Sequence, residues 1–317
     1  MRAAWRPSVR TTPLALVAVA AVTLSLTACG GGSGTPAASS SGSAAGASAA
    51  ATFDPSSVKK DDTLAALLPD KVKSAGTLTV GADTSYAPAE YIAEDGKTPV
   101  GYDVDLAKAI GAVLGLKTTV QSADFTGIIP AIGSKYDVGI SSFTINSDRE
   151  QKANMIAYFQ AGEAYAVQKG NPNKVDPTNL CGLTVGIQTG TVEDDEFNAV
   201  IAKCKTDGKK APNPLKYAKQ SDVTTALVGG KADVMYADSP IIAYAIAQTN
   251  GQLEQLGDVF SSAPQGIVVS KDDTALTTAI QKAVQKLIDD GTYGKILAAW
   301  GNQAGAVKTA ELNPTVS

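Results

Sequence analysis

Charged side chains follow several segments that have the pattern of strands, where they could hold a ligand. Asp83 follows the segment TLTVGA, Arg149 lies in the turn SDRE, and Asp238 follows DVMYA. The guanidinium of an arginine can bind a carboxylate through two parallel hydrogen bonds, and an aspartate can accept hydrogen bonds from an amide, ammonium, guanidinium or imidazolium. Each residue also has a structural alternative: Arg149 at the surface of a helix, Asp238 as a helix cap, and Asp83 bonded within its own turn.

The chain contains no histidine. This absence excludes Ser-His-Asp and Cys-His catalysis, histidine general bases and histidine metal ligands. The sequence therefore predicts neither a metal centre nor a cofactor, and it leaves few common hydrolytic mechanisms open.

Strand-like and helix-like segments alternate along the chain, which predicts an α/β architecture with largely parallel sheets. Ligands of such sheets bind beyond the carboxyl ends of the strands, which makes the loops after Ala82, Ile140, Ile187 and Tyr236 the candidate binding loops. The predicted strands are 77–82, 118–121, 136–140, 164–169, 183–187, 233–236 and 266–270. The predicted helices are 102–114, 127–132, 192–204, 223–228, 241–247, 274–290 and 293–300.

The N-terminal residues have the features of an export signal. Arginines at positions 2, 6 and 10 precede an apolar run over 14–26, and no acidic residue occurs before Cys29. The apolar run is shorter than the ~20 residues that a membrane span needs, which favours a cleaved signal peptide (1–28) over a transmembrane anchor.

The sequence LTAC at 26–29 resembles the bacterial lipobox, in which cleavage precedes a cysteine that carries lipid. Cys29 is therefore expected to be lipidated. The uncharged Gly/Ser/Ala-rich residues after it cannot bury enough apolar area to fold, so 29–52 is expected to be a flexible tether. The folded protein is then extracytoplasmic and anchored to the outer face of the cell membrane.

Cleavage would lower Lys+Arg from 27 to 24 while Asp+Glu stays at 31, which leaves a net charge of −7. This balance, with no long basic run, argues against a nucleic-acid partner. The remaining chain of about 260 residues suits two lobes or one large domain.

Two further cysteines, Cys181 and Cys204, lie in the expected mature chain. An even pair in an exported protein predicts a disulfide, which would contribute ~3 kcal/mol, whereas the alternative is two buried thiols.

Seven motifs occur in an order that resembles the bacterial extracellular solute-binding proteins, family 3, which include the glutamine-, histidine- and lysine/arginine/ornithine-binding proteins. They are GADTSYAP (81–88), GYDVDLAKAI (101–110), DFTGIIPAI (124–132), YDVGISSFTINSDRE (136–150), GIQTGT (186–191), KADVMYADSP (231–240) and DDGTYGKILAAWG (289–301). The resemblance implies the type II periplasmic binding protein fold, with two α/β lobes that close around a ligand like a hinge.

That fold implies two crossover strands, near 162–167 and 259–267. Lobe 1 would be 70–163 plus 265–303, and lobe 2 would be 164–264. An N-terminal extension (53–69) and a C-terminal tail (304–317) flank them. The implied function is the substrate-binding component of an ABC importer, which binds a free polar amino acid and delivers it, as a monomer, to an ABC permease.

Both charged groups of a free amino acid must be paired when they leave water. By the resemblance, Arg149 binds the α-carboxylate, together with free N–H groups at Gly190 and Thr191, and Asp238 pairs with the α-ammonium. The neighbours of the head group are Ser141, Ser142 and Thr144.

The side chain of the ligand would meet Asp83, Tyr86, Phe125 and Gln188. Phe125 can lie flat against an aliphatic stem or a cation, with a core aromatic as its alternative. The chain departs from the family pattern at Gln188, and also at Ala89, 154–157 and Gln265. The ligand is therefore expected to be either cationic or glutamine-like.

Three alternatives remain. Dehydratases that act on cyclohexadienyl compounds share the fold, and Glu193 or Asp83 could serve such an enzyme as acid or base. The chain could also be the sensor module of a receptor, or a scaffold that binds no ligand.

Overall fold

The computed structural model describes residues 53–316. The predicted signal peptide (1–28), Cys29 and the tether (30–52) lie outside the described residues. Within the described part of the chain, none of the helices combines the length and apolar character needed to cross a membrane.

The strands within residues 53–316 form a large sheet and a small one. They are β1 (Thr77–Ala82), β2 (Ser85–Tyr86), β3 (Glu90–Ile92), β4 (Pro99–Val100), β5 (Lys117–Ser122), β6 (Val138–Gly139), β7 (Ala153–Gln168), β8 (Thr184–Gln188), β9 (Asn213–Tyr217), β10 (Val234–Asp238) and β11 (Leu253–Ser270). The large sheet has the order β5-β1-β6-β11-β7-β10-β8-β9, and β2, β3 and β4 form the small sheet.

Helices cover this sheet. They are α1 (Asp62–Ala65), α2 (Asp70–Ala75), α3 (Tyr102–Leu114), α4 (Phe125–Ile128), α5 (Ser147–Lys152), α6 (Val192–Thr206), α7 (Gln220–Val228), α8 (Ser239–Gln248), α9 (Thr274–Asp289) and α10 (Thr292–Ala299). Short 3₁₀ turns lie at Pro55–Ser57, Ile129–Ala131 and Gln303–Gly305.

Two long antiparallel strands divide the large sheet into two lobes. On one side of them β5, β1 and β6 are parallel, and on the other side β10, β8 and β9 are parallel. Between these sets β7 pairs with β11 in antiparallel orientation. Ala153 lies opposite Ser270 at one end, and Gln168 lies opposite Leu253 at the other. This arrangement confirms the two-lobed fold with two crossover strands.

The pairing of the two crossover strands becomes irregular between Leu256 and Ala263, where their backbones lie close together. A Cβ on Gly162 would lie 2.8 Å from the carbonyl oxygen of Phe260. Only glycine therefore fits this backbone approach.

Several elements differ from the sequence-based expectations. Helix α4 begins at Phe125, two residues before the predicted helix over 127–132, and continues as a 3₁₀ turn. Strands β7 (Ala153–Gln168) and β11 (Leu253–Ser270) are much longer than the predicted strands over 164–169 and 266–270, because the two crossover strands pair with each other along their length. Strand β9, helices α1 and α2, and the small sheet were not predicted.

The disulfide between Cys181 and Cys204 is confirmed. It joins the segment before β8 to the last turn of α6. The alternative of two buried thiols is wrong.

Candidate functional site

A small cavity lined mainly by polar side chains lies between the lobes. All ten residues that the sequence analysis selected as ligand contacts line it. The complete lining is Asp83, Tyr86, Phe125, Ser141, Ser142, Thr144, Arg149, Gln188, Thr191, Val192, Glu193 and Asp238.

Arg149 is held inside the cavity, and the surface alternative is wrong because the residue is only 9% exposed. Its backbone N–H donates to Asn146, which caps α5, and its side chain donates to the carbonyl oxygens of Thr144 (2.8 Å) and Gly190 (3.3 Å). Its guanidinium carbon lies 5.4 Å from the centre of the Phe125 ring, within cation–π distance. Burial lowers the pKa of Arg149, and the nearby Glu193 acts in the opposite direction.

Phe125 is half-buried and stacks on Phe143, with ring centres 4.7 Å apart. One face of the aromatic pair therefore supports Arg149, and Phe125 also lines the cavity. Phe125 thus packs on a core aromatic and also lines the cavity, and its contact with a ligand stays a prediction.

The N-terminus of α6 is directed at the cavity. Thr191 caps this helix through a hydrogen bond from the N–H of Asp194, and its hydroxyl donates to the carbonyl oxygen of Gln188 at 3.1 Å. The N–H of Gly190 donates to the carboxylate of Asp194 at 3.0 Å. The expectation that the Gly190 N–H is free is therefore wrong, because this carboxylate already neutralises part of the helix end.

Asp238 ends β10 and lies at the cap position of α8, but its side chain makes no capping hydrogen bond. Its Oδ2 instead accepts hydrogen bonds from the Tyr86 hydroxyl at 2.8 Å and from the Gln265 amide at 3.0 Å. Burial, reinforced by the charge of Glu193, raises the pKa of Asp238 well above its ordinary value. The capping alternative is wrong, and the carboxylate is available to the cavity.

Asp83 faces the opposite lobe and also bonds within its own loop. One oxygen accepts a hydrogen bond from the Gln188 amide at 2.5 Å, and the other accepts from the N–H of Ser85 at 3.2 Å. The residue is 4% exposed, and burial raises the pKa of Asp83. The bond within the loop is therefore present, and the second oxygen faces Gln188 across the cavity, so contact with a ligand side chain stays a prediction.

The Ser141 and Ser142 positions form the loop after β6. The Ser141 hydroxyl accepts from the N–H of Asp83 at 2.9 Å and donates to Glu90 at 2.6 Å. Ser142 has a φ of 48°, in the left-handed region that costs a non-glycine residue ~1–3 kcal/mol. Its N–H donates to Asp103 at 3.0 Å, which holds this backbone in place.

Glu193 and Val192 line the cavity but were not predicted as ligand contacts, although Glu193 was named for the enzyme alternative. Glu193 lies in the first turn of α6, is 2% exposed, and its Oε1 has no hydrogen-bond partner among residues 53–316. Burial raises the pKa of Glu193, although Thr191 and Arg149 counter this effect. Its position two residues after Thr191, in a helix that starts at the site, could have identified it.

The cavity therefore has one guanidinium, on Arg149, and three buried carboxyl groups, on Asp83, Glu193 and Asp238. It suits a ligand with more positive than negative charge, because each unpaired buried charge is costly. Among residues 53–316, no group of three or more His, Cys, Asp or Glu residues is placed to hold a metal ion.

Known proteins resemble this chain over most of its length. Residues 78–303 match the model of the bacterial extracellular solute-binding proteins, family 3. The arginine-binding protein ArgT of Corynebacterium glutamicum is 35% identical over 252 residues, 79% of this chain and 82% of that protein.

Two solved structures are also similar. An ancestral arginine-binding protein bound to arginine has a TM-score of 0.65 and 36% identity, with coverage of 71% of this chain and 98% of that chain. AncCDT-1, an ancestral amino acid-binding protein and a precursor of cyclohexadienyl dehydratase, has a TM-score of 0.66 and 29% identity, with coverage of 75% and 99%. The fold, the cavity and these matches together place the chain in the bacterial extracellular solute-binding proteins, family 3.

Proposed function

We propose that this chain is the extracytoplasmic substrate-binding component of an ABC importer and that it binds a free cationic L-amino acid, with arginine as the first candidate. The observation that carries the proposal is the cavity with one buried guanidinium and three buried carboxyl groups.

The head group of the ligand would lie between Arg149 and Asp238. The planar guanidinium of Arg149 can bind the α-carboxylate through two hydrogen bonds. At Thr191, the N-terminus of α6 would lie beside the same carboxylate and stabilise its charge. Asp238 can pair with the α-ammonium. Ser142 and Thr144 contribute polar atoms beside it.

The side chain of the ligand would reach Asp83, with Tyr86, Phe125 and Gln188 as its walls. A cationic amino acid carries two positive charges and one negative charge, so it reduces the negative excess that Asp83, Glu193 and Asp238 create. Glutamine leaves that excess unchanged, and glutamate increases it. Charge balance therefore favours arginine over glutamine and disfavours glutamate.

Ligand capture would occur by hinge closure of lobe 1 (70–163 plus 265–303) on lobe 2 (164–264), with 53–69 and 304–317 outside the hinge. Hydrogen bonds between the two proposed lobes support closure, namely Gln188 to Asp83 and Tyr86 to Asp238. The irregular pairing of β7 with β11 is the natural place for bending.

The importer assignment implies an ABC permease as the partner of a monomeric binding protein. We further propose that lipid on Cys29 anchors the chain to the outer face of the membrane, since LTAC precedes an uncharged tether. Stable anchoring needs more than one acyl chain, so several are expected on this cysteine. Replacement of Cys29 by serine should release the protein from membranes, and unchanged fractionation would refute the anchor.

We propose binding without chemical conversion. Glu193 is a buried carboxyl group with a raised pKa, which an acid catalyst also needs, and AncCDT-1 is a precursor of a dehydratase. The complete set of groups for an amino-acid head group argues against that use. Incubation with prephenate and arogenate, with detection of an aromatic product, separates the two functions.

The proposal is tested by thermal unfolding of the purified protein with each of the twenty amino acids, ornithine and citrulline. Arginine, lysine and ornithine should raise the melting temperature most, with a smaller effect of glutamine. A larger shift with glutamate than with arginine would contradict the proposal, and the absence of any shift would favour a scaffold without a ligand.

A further inference from the structure

Behind the cavity, two carboxyl groups lie against each other without solvent. Glu90, on β3, is 0% exposed, and Asp103, in the first turn of α3, is 1% exposed. Neither residue lines the cavity. Two negative charges in one buried site repel each other strongly, so such a pair retains a proton.

The hydrogen bonds of the pair leave one oxygen on each residue for this contact. Glu90 Oε1 accepts from the Ser141 hydroxyl at 2.6 Å. Asp103 Oδ2 accepts from the N–H of Ser142 at 3.0 Å and from the Tyr158 hydroxyl at 2.7 Å. Glu90 Oε2 and Asp103 Oδ1 have no donor among residues 53–316. The N–H of Asp103 donates to the carbonyl oxygen of Ala89, the neighbour of Glu90, at 3.0 Å, so the two residues are held side by side. One proton shared between the two free oxygens would satisfy both.

The pair holds the loop that contributes to the cavity. Glu90 fixes Ser141, whose hydroxyl in turn accepts from the N–H of Asp83. Asp103 fixes Ser142, whose φ of 48° is unfavourable for a serine. The geometry of two cavity residues thus depends on the pair, and Asp83 is tied to it through Ser141.

We propose that Glu90 and Asp103 share one proton and act as positioning residues, which hold the loop at Ser141 and Ser142 in the geometry that binds the ligand. The binding part of this inference rests on the proposed amino-acid function, whereas the shared proton does not. Asp103 Oδ2 accepts from two close donors, with the Ser142 hydroxyl a third at 3.5 Å, whereas Glu90 accepts from Ser141 alone; Asp103 is therefore the charged member and Glu90 carries the proton.

The groups that face the pair determine how it titrates. They are Asp83 just after β1, Tyr102 from α3, Tyr158 from β7 and Tyr293 from α10. Burial raises the pKa of Glu90 well above 4.5, and the charges of Asp103 and Asp83 add to this effect. Burial also raises the pKa of Asp103, to about 6, against the hydrogen bonds that lower it.

The first experiment needs no ligand. Urea unfolding is measured from about pH 5 to about pH 9 for the wild type, Glu90→Gln and the control Asp105→Asn, whose carboxylate is also on α3 but accepts from Trp300. Because the folded state holds the proton of Glu90 above its ordinary pKa, rising pH should destabilise the wild type relative to Glu90→Gln. In Asp105→Asn, Glu90 is still present and should contribute to the pH dependence of the free energy of unfolding as it does in the wild type. A wild-type-to-Glu90→Gln difference that does not change with pH would refute the shared proton.

The second experiment measures arginine binding by calorimetry. Glu90→Leu removes both the acceptor for Ser141 and the partner of Asp103, so affinity should fall at least about tenfold. Glu90→Gln retains an acceptor and a donor and should recover most of that loss, to within about threefold of the wild type. Asp105→Asn should bind like the wild type.

The outcomes are distinguishable. If the wild type binds arginine and Glu90→Leu binds equally well, or if Glu90→Gln recovers nothing, the positioning role is refuted. If the wild type binds no amino acid, the proposed function and the positioning role fail together, and the unfolding experiment alone decides the shared proton.

Discussion

The Tyr86 hydroxyl donates a hydrogen bond of 2.8 Å to Asp238 Oδ2 and joins residues 152 positions apart in the sequence. The Gln265 amide donates to the same oxygen from β11. Strand β2, the last residue of β10 and the crossover strand β11 therefore meet at one carboxylate. In the proposed hinge closure, this contact couples the position of Asp238 to the closed arrangement.

Replacement of Tyr86 by phenylalanine should weaken arginine binding by about threefold to tenfold, because one hydrogen bond to a buried carboxylate contributes ~0.5–1.5 kcal/mol. Calorimetry measures the effect. Tyr91→Phe is the control, since the Tyr91 ring contacts Tyr244 and Trp300 and does not line the cavity. Equal losses of arginine affinity in the two variants would show that the Tyr86 hydroxyl makes no specific contribution to binding.

Alanine at Arg149 or at Asp238 should weaken binding by at least about a hundredfold, since removal of one partner leaves a buried charge unpaired at a cost of ~3–5 kcal/mol. The factor should be similar for every amino acid that binds, because both residues are proposed to contact the head group that all amino acids share. Titration of arginine, lysine and glutamine tests both statements. Near-native affinity of either variant would remove that residue from the head-group site.

Acidification should weaken arginine binding at a higher pH than ordinary carboxyl groups would cause. Burial raises the pKa values of Asp83, Glu193 and Asp238, so these groups accept protons above 3.8–4.5 and lose the charges that a cation needs. The stability of the ligand-free protein should change in the opposite direction. A carboxyl group whose pKa is raised by folding stabilises the folded state fully at a pH below its pKa in the unfolded chain. This contribution decreases as the pH rises through the pKa of the group in the folded protein.

Calorimetry and urea unfolding across the same pH series test this opposition. Asp83→Asn removes one of the raised groups and should flatten both curves. Binding that strengthens as the pH falls would contradict the assignment of these carboxyl groups to a cationic ligand.

Loss of the Cys181–Cys204 bridge should lower the free energy of unfolding by ~3 kcal/mol, because the crosslink restricts the unfolded chain. The double serine variant, unfolded in urea beside the oxidised wild type, measures this difference. Both cysteines lie outside the cavity, so arginine affinity should change little. A stability difference below about 1 kcal/mol would show that the bridge constrains little.

Much of the fold was predictable because the central strands carry local signals. TLTVGA predicts β1 at its observed bounds, and the spacing of apolar residues from Tyr102 to Leu114 predicts α3. Strand β9 was missed because Asn213 and Pro214 resemble a turn, although proline is tolerated in an edge strand. The extent of β7 and β11 depends on pairing between distant segments, which no local pattern reveals.

The set of cavity residues was largely predictable, but the contacts among them were not. Resemblance selected ten of the twelve lining residues, whereas Val192 and Glu193 depend on the direction in which α6 enters the site. The local sequence does not reveal that Asp194 occupies the N–H of Gly190, or that Gln188 donates to Asp83 from the other lobe. These contacts arise from tertiary packing.

The central claim, that a buried carboxylate at Asp83 selects a cationic side chain, is tested most directly by titration of Asp83→Asn with arginine and with glutamine. The account predicts that arginine affinity falls at least about tenfold, because the ligand cation loses its buried partner, while glutamine affinity changes by less than about threefold. Equal losses for the two ligands, or tight glutamate binding by the unmodified protein, would contradict it.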